Sequence, residues 1–194
     1  MTEAPSYTDI DTLADRLRDV PYESILRTIG RVAERKGIEA YAVGGMVRDV
    51  LLGRSTTDLD FVTVGPETGI ALAEAVGEAL GGRTAHVYPK FGTAAIRIPA
   101  ADALPDDHPD DALVLEFVAA RKESYRSDSR KPEVEAGTLE DDQYRRDFTV
   151  NAMAIHLTPD RFGALLDPFD GRRDLERQTI DTPLDPADTF EDDP

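Results

Sequence analysis

Residues 41–62, YAVGGMVRDVLLGRSTTDLDFV, constrain the fold of this chain more than any other segment. An apolar strand at the start of the segment runs into Gly44 and Gly45, and a short helix is predicted at residues 46–52. A second strand follows at residues 57–63, where polar and apolar side chains alternate. A glycine pair that leads into a helix N-terminus suits the binding of a phosphate group. The segment therefore predicts a strand, a phosphate-binding turn, a helix and a second strand in succession.

Asp58 and Asp60 are the residues of the second strand that carry chemistry. Alternate side chains of a strand share a face, so both carboxylates point the same way while Leu59 and Phe61 point into the core. Two adjacent carboxylates repel each other unless a cation lies between them. We therefore expect a divalent metal site here. A metal beside a phosphate-binding turn indicates phosphoryl or nucleotidyl transfer.

Length and composition limit the class of protein. A chain of 194 residues forms one domain, or one domain and part of another. The absence of cysteine excludes disulfides and thiolate metal sites. No apolar run reaches the roughly 18 residues of a membrane span. The N-terminal residues are acidic and lack the apolar core of a signal peptide. The expected location is the cytoplasm, with no membrane partner.

The net charge of −17 indicates a solvated acidic surface. Acidic residues number 39 against 22 lysines and arginines, so the chain lacks the basic character of an obvious nucleic-acid binder. A polynucleotide partner would require a local basic patch, a bridging metal ion or a region outside this chain.

Hydrophobic periodicity predicts the remaining elements. Two helices are expected within residues 9–36, and a third at residues 66–80. The further predicted strands cover residues 84–88, 93–98, 113–121, 153–157 and 162–166. The polar residues 124–143 predict a mobile functional loop, because so long a polar stretch is uncommon inside a packed domain.

Glu116 interrupts the otherwise apolar strand at residues 113–121. An isolated charge in a buried strand is costly unless it is paired. Two interpretations follow: a structural ion pair with an arginine, or a third carboxylate beside Asp58 and Asp60.

Arg145 and Arg146 begin the segment RRDFTVNA. The planar guanidinium group matches the geometry of phosphate oxygens, so the two arginines suit a triphosphate. Asp147 is expected either to pair with one of them or to cap the short helix that follows.

These segments together resemble the class II tRNA nucleotidyltransferase and bacterial poly(A) polymerase family. The order and spacing of the segments are specific to that family. They are GGMVRDVLLG at 44–53, the pair Asp58 and Asp60, RRDFTVNA at 145–152 and LDPFDG at 166–171.

The resemblance implies an α+β head domain like that of DNA polymerase beta, with a mixed, antiparallel-rich sheet and helices packed on one face. It implies N-terminal helices at residues 1–37, the head domain at residues 38–180, and at residues 181–194 the start of a connection to a neck domain. It also implies that the elements that choose the base and hold most of the RNA lie outside this chain.

The implied reaction adds CMP or AMP from CTP or ATP to the 3′ end of tRNA and releases pyrophosphate, with a two-metal Mg²⁺ site. Two alternatives stay open: poly(A) synthesis, and a nucleotide- or metal-binding module that is silent as this fragment. The expected metal ligands are Asp58 and Asp60, with Glu116 completing the catalytic set. The expected nucleotide-binding residues are Gly44, Gly45, Arg48, Arg146, Asp147 and Asn151.

Overall fold

A seven-stranded mixed sheet is the centre of the computed structural model, which describes residues 12–54, 56–105, 110–124, 133–187 and 189. The sheet runs in the order β3-β4-β5-β2-β1-β8-β9, and β6 pairs with β7 as a separate ribbon. Every neighbouring pair in the large sheet is antiparallel except β2 with β5. The strands are β1 (Ala40–Val43), β2 (Asp58–Thr63), β3 (His86–Tyr88), β4 (Thr93–Pro99), β5 (Ala112–Ala119), β6 (Arg121–Ser124), β7 (Glu133–Ala136), β8 (Ala154–His156) and β9 (Leu165–Leu166).

The described residues contain six α-helices between and beside these strands. They are α1 (Ala14–Leu17), α2 (Glu23–Lys36), α3 (Gly45–Leu51), α4 (Thr68–Ala79), α5 (Leu139–Tyr144) and α6 (Gly171–Arg177). The predicted antiparallel-rich α+β architecture is therefore confirmed.

One face of the sheet carries the main hydrophobic core. Leu59 and Phe61 are fully buried on this face, as their alternation with the aspartates predicts. Phe61 stacks on Phe117 of β5, with ring centroids 4.9 Å apart. Leu17 of α1 and Ile29 of α2 belong to the same cluster, so these helices cover this face of the sheet.

The opposite face of the sheet is covered only in part. Tyr41 and Val43 of β1 and Val62 of β2 form a smaller apolar cluster with Leu139, the first residue of α5. Helix α5 therefore packs on the face that Asp58 and Asp60 share, and this face remains open beside the two aspartates.

The prediction of a mobile loop at residues 124–143 is wrong for the part that the structure describes. Residues 133–136 form β7, and α5 begins at Leu139. A capping box starts this helix: the Asp141 amide donates to Thr138 Oγ1, and the Thr138 amide donates to Asp141 Oδ2. The polar composition hid a helix whose N-terminal signal is TLED. Residues 125–132 lie outside the described residues.

Among the helices of the described ranges, none is long and apolar enough to cross a membrane.

His156 ends β8 as a buried residue. Its ring packs edge-on against Tyr41 at a centroid distance of 4.8 Å, and its Nδ1 accepts a hydrogen bond from the Thr158 amide at 3.3 Å. Burial lowers the pKa of His156, and the positive charge of Arg161 lowers it further. The nearby carboxylates of Asp160 and Glu39 oppose this shift without reversing it, so folding favours the neutral form of the imidazole.

We predict that protonation of His156 in the unfolded chain lowers stability in mild acid. A histidine with a depressed folded pKa costs stability as the pH falls below its unfolded value of about 6.5, because the unfolded state then binds the extra proton. The slope reaches at most about 1.4 kcal/mol per pH unit. Urea unfolding between pH 7.5 and 5.5 measures it. His156→Asn, which keeps an acceptor near the Nδ1 position, should show a shallower slope; an unchanged slope would contradict this prediction.

Candidate active site

The parallel pairing of β2 with β5 brings the predicted carboxylates onto one face of the sheet. Asp60 lies directly opposite Glu116, and Asp58 lies opposite Val114 in the same register. Neighbouring strands are about 4.8 Å apart, so the Asp60 and Glu116 side chains leave the sheet side by side. Glu116 is exposed, and it has no ion pair with an arginine among the described residues.

The surroundings of Asp60 disfavour its negative charge. Burial raises the pKa of Asp60 above its ordinary value, and the charge of the neighbouring Glu116 raises it further. Arg146 acts in the opposite direction, while Asp58 and Asp142 make smaller contributions that raise this pKa. An ionised Asp60 is therefore stabilised by any cation that approaches the open face.

The donor set fits a divalent cation that prefers oxygen. Within the described ranges, no three acidic or histidine side chains form a ready-made metal cluster. Mg²⁺ suits such an incomplete site, because it usually keeps several waters and binds substrate phosphates together with one or two carboxylates. Asp58 and Asp60 share a face, and the repulsion around Asp60 is the charge imbalance that a cation would relieve.

Gly44 forms the turn between β1 and α3, next to the aspartates. Its backbone has φ 73° and ψ −141°, a conformation that is rare for residues with a side chain. A Cβ atom placed on Gly44 would lie 3.0 Å from Arg146 Nη1 and 3.5 Å from Asp60 Oδ2. The turn therefore needs glycine, and it brings the arginine and the aspartate to the same point.

One edge of the Arg146 guanidinium lies beside the Gly44 turn, and the buried carboxylate of Asp142 accepts hydrogen bonds from the other edge. Its Nε and Nη2 atoms donate to Asp142 Oδ2 at 3.0 and 2.8 Å. Arg145 donates to the other oxygen, Asp142 Oδ1, at 3.2 and 3.0 Å. The Nη1 edge of Arg146 faces the Gly44 turn with its donors available for an anion.

Arg48 projects from the first turn of α3, as its position after the glycine pair predicts. Its guanidinium lies 3.4 Å from the point where a Cβ of Gly45 would be. It donates to both oxygens of Asp49, at 3.0 and 3.1 Å, and through Nη1 to Asn151 Oδ1 at 2.9 Å. These bonds use three of its five N–H donors, so two remain for a ligand.

The structure corrects the expected role of Asp147. In the part of the chain that the structure describes, the acidic partner of both arginines is Asp142, not Asp147. The short 3-10 helix at Thr149–Asn151 has Phe148 at its N-cap and no side-chain cap. Asp147 is instead exposed beside the arginines.

Asp142 is the site residue that sequence reasoning missed. It precedes Arg145 and Arg146 by three and four residues, a spacing that places such side chains on one helical face. That spacing, together with the capping box at the start of α5, was the available signal.

Comparison with known proteins identifies relatives of this arrangement. The family model described as Poly A polymerase head domain matches residues 40–181. The A-adding tRNA nucleotidyltransferase of Geobacter sulfurreducens is 39% identical over 160 residues, which are 82% of this chain and 17% of that protein. The CC-adding tRNA nucleotidyltransferase of Deinococcus radiodurans is 40% identical over 144 residues, 73% of this chain and 34% of that protein.

A solved structure shows the same fold. A tRNA nucleotidyltransferase complexed with a primer tRNA and an incoming ATP analog aligns with a TM-score of 0.67 and 37% identity, covering 86% of this chain and 41% of that one. This chain therefore spans between about a sixth and two fifths of the proteins it matches. Proteins of this nucleotidyltransferase family generally use a divalent metal.

We predict that Gly44→Ala weakens ATP binding by about tenfold or more, because the new methyl group meets Arg146 Nη1 and strains the turn. Equilibrium titration with ATP and Mg²⁺ measures the effect. Gly53→Ala is the matched control, since Gly53 also has a positive φ, 66°, but a Cβ there meets no atom within 4 Å. Equal losses of affinity in the two variants would show that backbone strain alone is responsible.

Proposed function

We propose a function from one premise: the chain belongs to the Poly A polymerase head domain family. The reaction that we propose for this protein is nucleotidyl transfer to an RNA 3′ end: CMP or AMP is taken from CTP or ATP, and pyrophosphate is released. The observation that carries the proposal is the convergence of Asp60, Gly44 and Arg146. This convergence supports the proposal because carboxylates and guanidinium groups are the side chains that suit a metal ion and phosphate oxygens, respectively.

The proposed acceptor is the 3′ end of tRNA. The two curated relatives named above act on tRNA by their names, and the aligned solved structure contains a primer tRNA and an ATP analog. An acidic chain with a net charge of −17 offers little general attraction for RNA. We therefore assign most of the RNA contact to regions outside this chain.

The metal proposed for the site is Mg²⁺, held by Asp58 and Asp60. Two such ions, when bound, supply Lewis acidity at the RNA 3′-hydroxyl and at the triphosphate. Because the two aspartates share one face of β2, they would hold both ions, and with them the RNA 3′-hydroxyl and the triphosphate, on the same side of the sheet. We assign Glu116, which lies opposite Asp60 in β5, to complete this carboxylate set and to receive the proton of the hydroxyl.

The arginines hold the triphosphate from the other side of the turn. Arg146 Nη1 and the Arg48 guanidinium lie close to the points that a Cβ of Gly44 and of Gly45 would occupy, so the absence of side chains at this turn leaves room beside both guanidinium groups. The 3′-hydroxyl oxygen bonds to the α-phosphorus, and the bond from that phosphorus to the β-phosphate bridging oxygen breaks. Pyrophosphate leaves with the bonding electrons. Asn151 braces Arg48, and the exposed Asp147 is available to the ribose.

The domain division and location follow from the same proposal. We assign the catalytic head to residues 38–180, which the family match at 40–181 supports. We assign residues 1–37, whose described part contains α1 and α2, to an N-terminal helical region, and residues 181–194 to the start of a connection to a neck domain. The proposed location is the cytoplasm.

Poly(A) synthesis is the second candidate, and the name of the matching family favours it. An A-adding and a CC-adding relative are nearly equally identical to this chain, at 39% and 40%. Overall similarity in this region therefore does not distinguish A addition from CC addition. This agrees with selection of the nucleotide base by elements outside this chain.

We predict that the full-length protein extends a tRNA lacking its 3′ end when given CTP or ATP. Each reaction contains CTP, ATP or both, one of them labelled, and the products are resolved on denaturing gels. A product that contains both nucleotides and ends after three added residues indicates CCA addition, whereas a long A tail indicates poly(A) synthesis. Incorporation of only one nucleotide indicates partial addition. No incorporation with either nucleotide would contradict nucleotidyl transfer.

We also predict that Asp58→Asn and Asp60→Asn each reduce transfer by about a thousandfold or more without unfolding the protein, because both remove a metal ligand. The folded pKa of Asp60 is raised, so its ionised form costs stability above that pKa. Asp60→Asn should accordingly melt no earlier than the wild type at neutral pH.

Asp111→Asn serves as the control, because this exposed carboxylate adjoins the start of β5, pairs with Arg97 and is not among the proposed metal or nucleotide ligands. Its transfer rate should stay near that of the wild type. Full activity in either Asp58→Asn or Asp60→Asn would refute the metal assignment.

A further inference from the structure

Asp142 is a buried carboxylate to which the reaction as described gives no role. Its side chain is only 1% exposed, and it lies in α5 on the open face of the sheet. Burial of an ionised carboxylate is expensive unless charged hydrogen bonds compensate for the lost water. Both of its oxygens are in fact used by guanidinium groups.

Each oxygen of Asp142 accepts two hydrogen bonds from a different arginine. Oδ1 takes Nε and Nη2 of Arg145, and Oδ2 takes Nε and Nη2 of Arg146. Charge-assisted bonds of this kind fix the plane of a guanidinium as well as its position. The Nη1 atom of Arg146 is consequently fixed on the opposite edge, above the Gly44 turn.

The bonds of Asp142 are separate from those that begin its helix. The N-terminus of α5 is capped by Thr138 and Asp141, through bonds of 2.8 and 3.2 Å between the side chain of one residue and the amide of the other. Helix formation therefore does not require a carboxylate at position 142. The arginines supply every hydrogen bond of the Asp142 side chain found in the described part of the chain.

We propose that Asp142 is a positioning residue that aims Arg146 at the triphosphate of the incoming nucleotide. This inference rests on the proposed function, since it assigns a role within the same site. Without the carboxylate, Arg146 is free to turn toward Asp60, whose negative charge it already approaches at the Gly44 turn. The free energy of nucleotide binding would then include the cost of ordering the arginine again.

The test is the variant Asp142→Asn in the full-length protein. Asparagine keeps the shape of the side chain but removes the charge that holds the two guanidinium groups. We expect ATP with Mg²⁺ to bind about 30-fold more weakly, the usual order for loss of one partner of a buried charged pair. KM for ATP should rise by a similar factor and kcat should change less, because the contact is present in both the bound and transition states.

Asp141→Asn is the matched control. Asp141 is the neighbouring residue in the same helix, and its carboxylate caps α5 without contacting either arginine. We expect the variant to lower the melting temperature while ATP affinity changes less than about threefold. Equal weakening by Asp141→Asn and Asp142→Asn would show that Asp142 acts only through helix stability, and would overturn the inference.

A double-mutant cycle with Arg146→Ala tests whether Asp142 acts through Arg146. Asp142→Asn should have little further effect on ATP affinity once Arg146 is absent, and a full additive loss would overturn the inference. If Asp142→Asn does not fold, Asp142→Glu keeps the buried charge and displaces the carboxylate by one methylene. That variant should then bind ATP more weakly than the wild type, and unchanged binding would refute the role.

ATP binding and transfer are measured on the same proteins, which separates the two claims. A wild-type protein that binds ATP but transfers no nucleotide contradicts the proposed function, while the binding cycle still tests Asp142. A wild-type protein that transfers nucleotide while Asp142→Asn binds ATP normally contradicts only the role of Asp142.

Discussion

The parallel pairing of β2 with β5 is the constraint on which the site depends. It is the one parallel pair in a sheet whose other described pairs are antiparallel, and it places Asp60 beside Glu116. Because side chains alternate along both strands, they fall into two sets, one on each face of the sheet. Leu59, Phe61 and Phe117 build the core on one face, and the carboxylates gather on the other. Hydrophobic burial on the first face thus maintains a charge arrangement on the second that would otherwise be unfavourable.

Positive charge reaches this arrangement through the Gly44 turn. Arg146 lies just after the C-terminus of α5, a helix that packs on the open face through Leu139. The guanidinium lowers the pKa of Asp60 against the combined effect of burial and Glu116. An acidic pair, a glycine turn and an arginine therefore form one electrostatic unit, although they come from three separate parts of the chain.

Much of this unit was predictable from sequence, because its signals are local. The alternation from Asp58 to Phe61 predicts which side chains are buried, and the glycine pair predicts the turn before α3. The register that sets Glu116 opposite Asp60 joins strands that are distant in sequence. The sequence alone therefore left two interpretations of Glu116 open, an ion pair with an arginine or a third carboxylate of the site.

Residues 133–144 were not predictable in the same way. Their polar composition is typical of a loop. In the structure a capping box starts α5, and a few apolar contacts to the sheet hold this helix in place. Asp142 was missed for the same reason, since its role is visible only once the helix places it under two arginines. The family resemblance supplied the arginines but not the residue that orients them.

Anomalous diffraction from crystals of the full-length protein with Mn²⁺ and a non-hydrolysable ATP analogue tests the central claim most directly. Mn²⁺ replaces Mg²⁺ at oxygen sites and is located by its own scattering. The expected result is a metal peak within coordination distance of Asp58 and Asp60, with triphosphate oxygens bonded to Arg146 Nη1. A metal peak elsewhere, or a triphosphate that avoids Arg146, would contradict the assignment of this face of the sheet as the catalytic site.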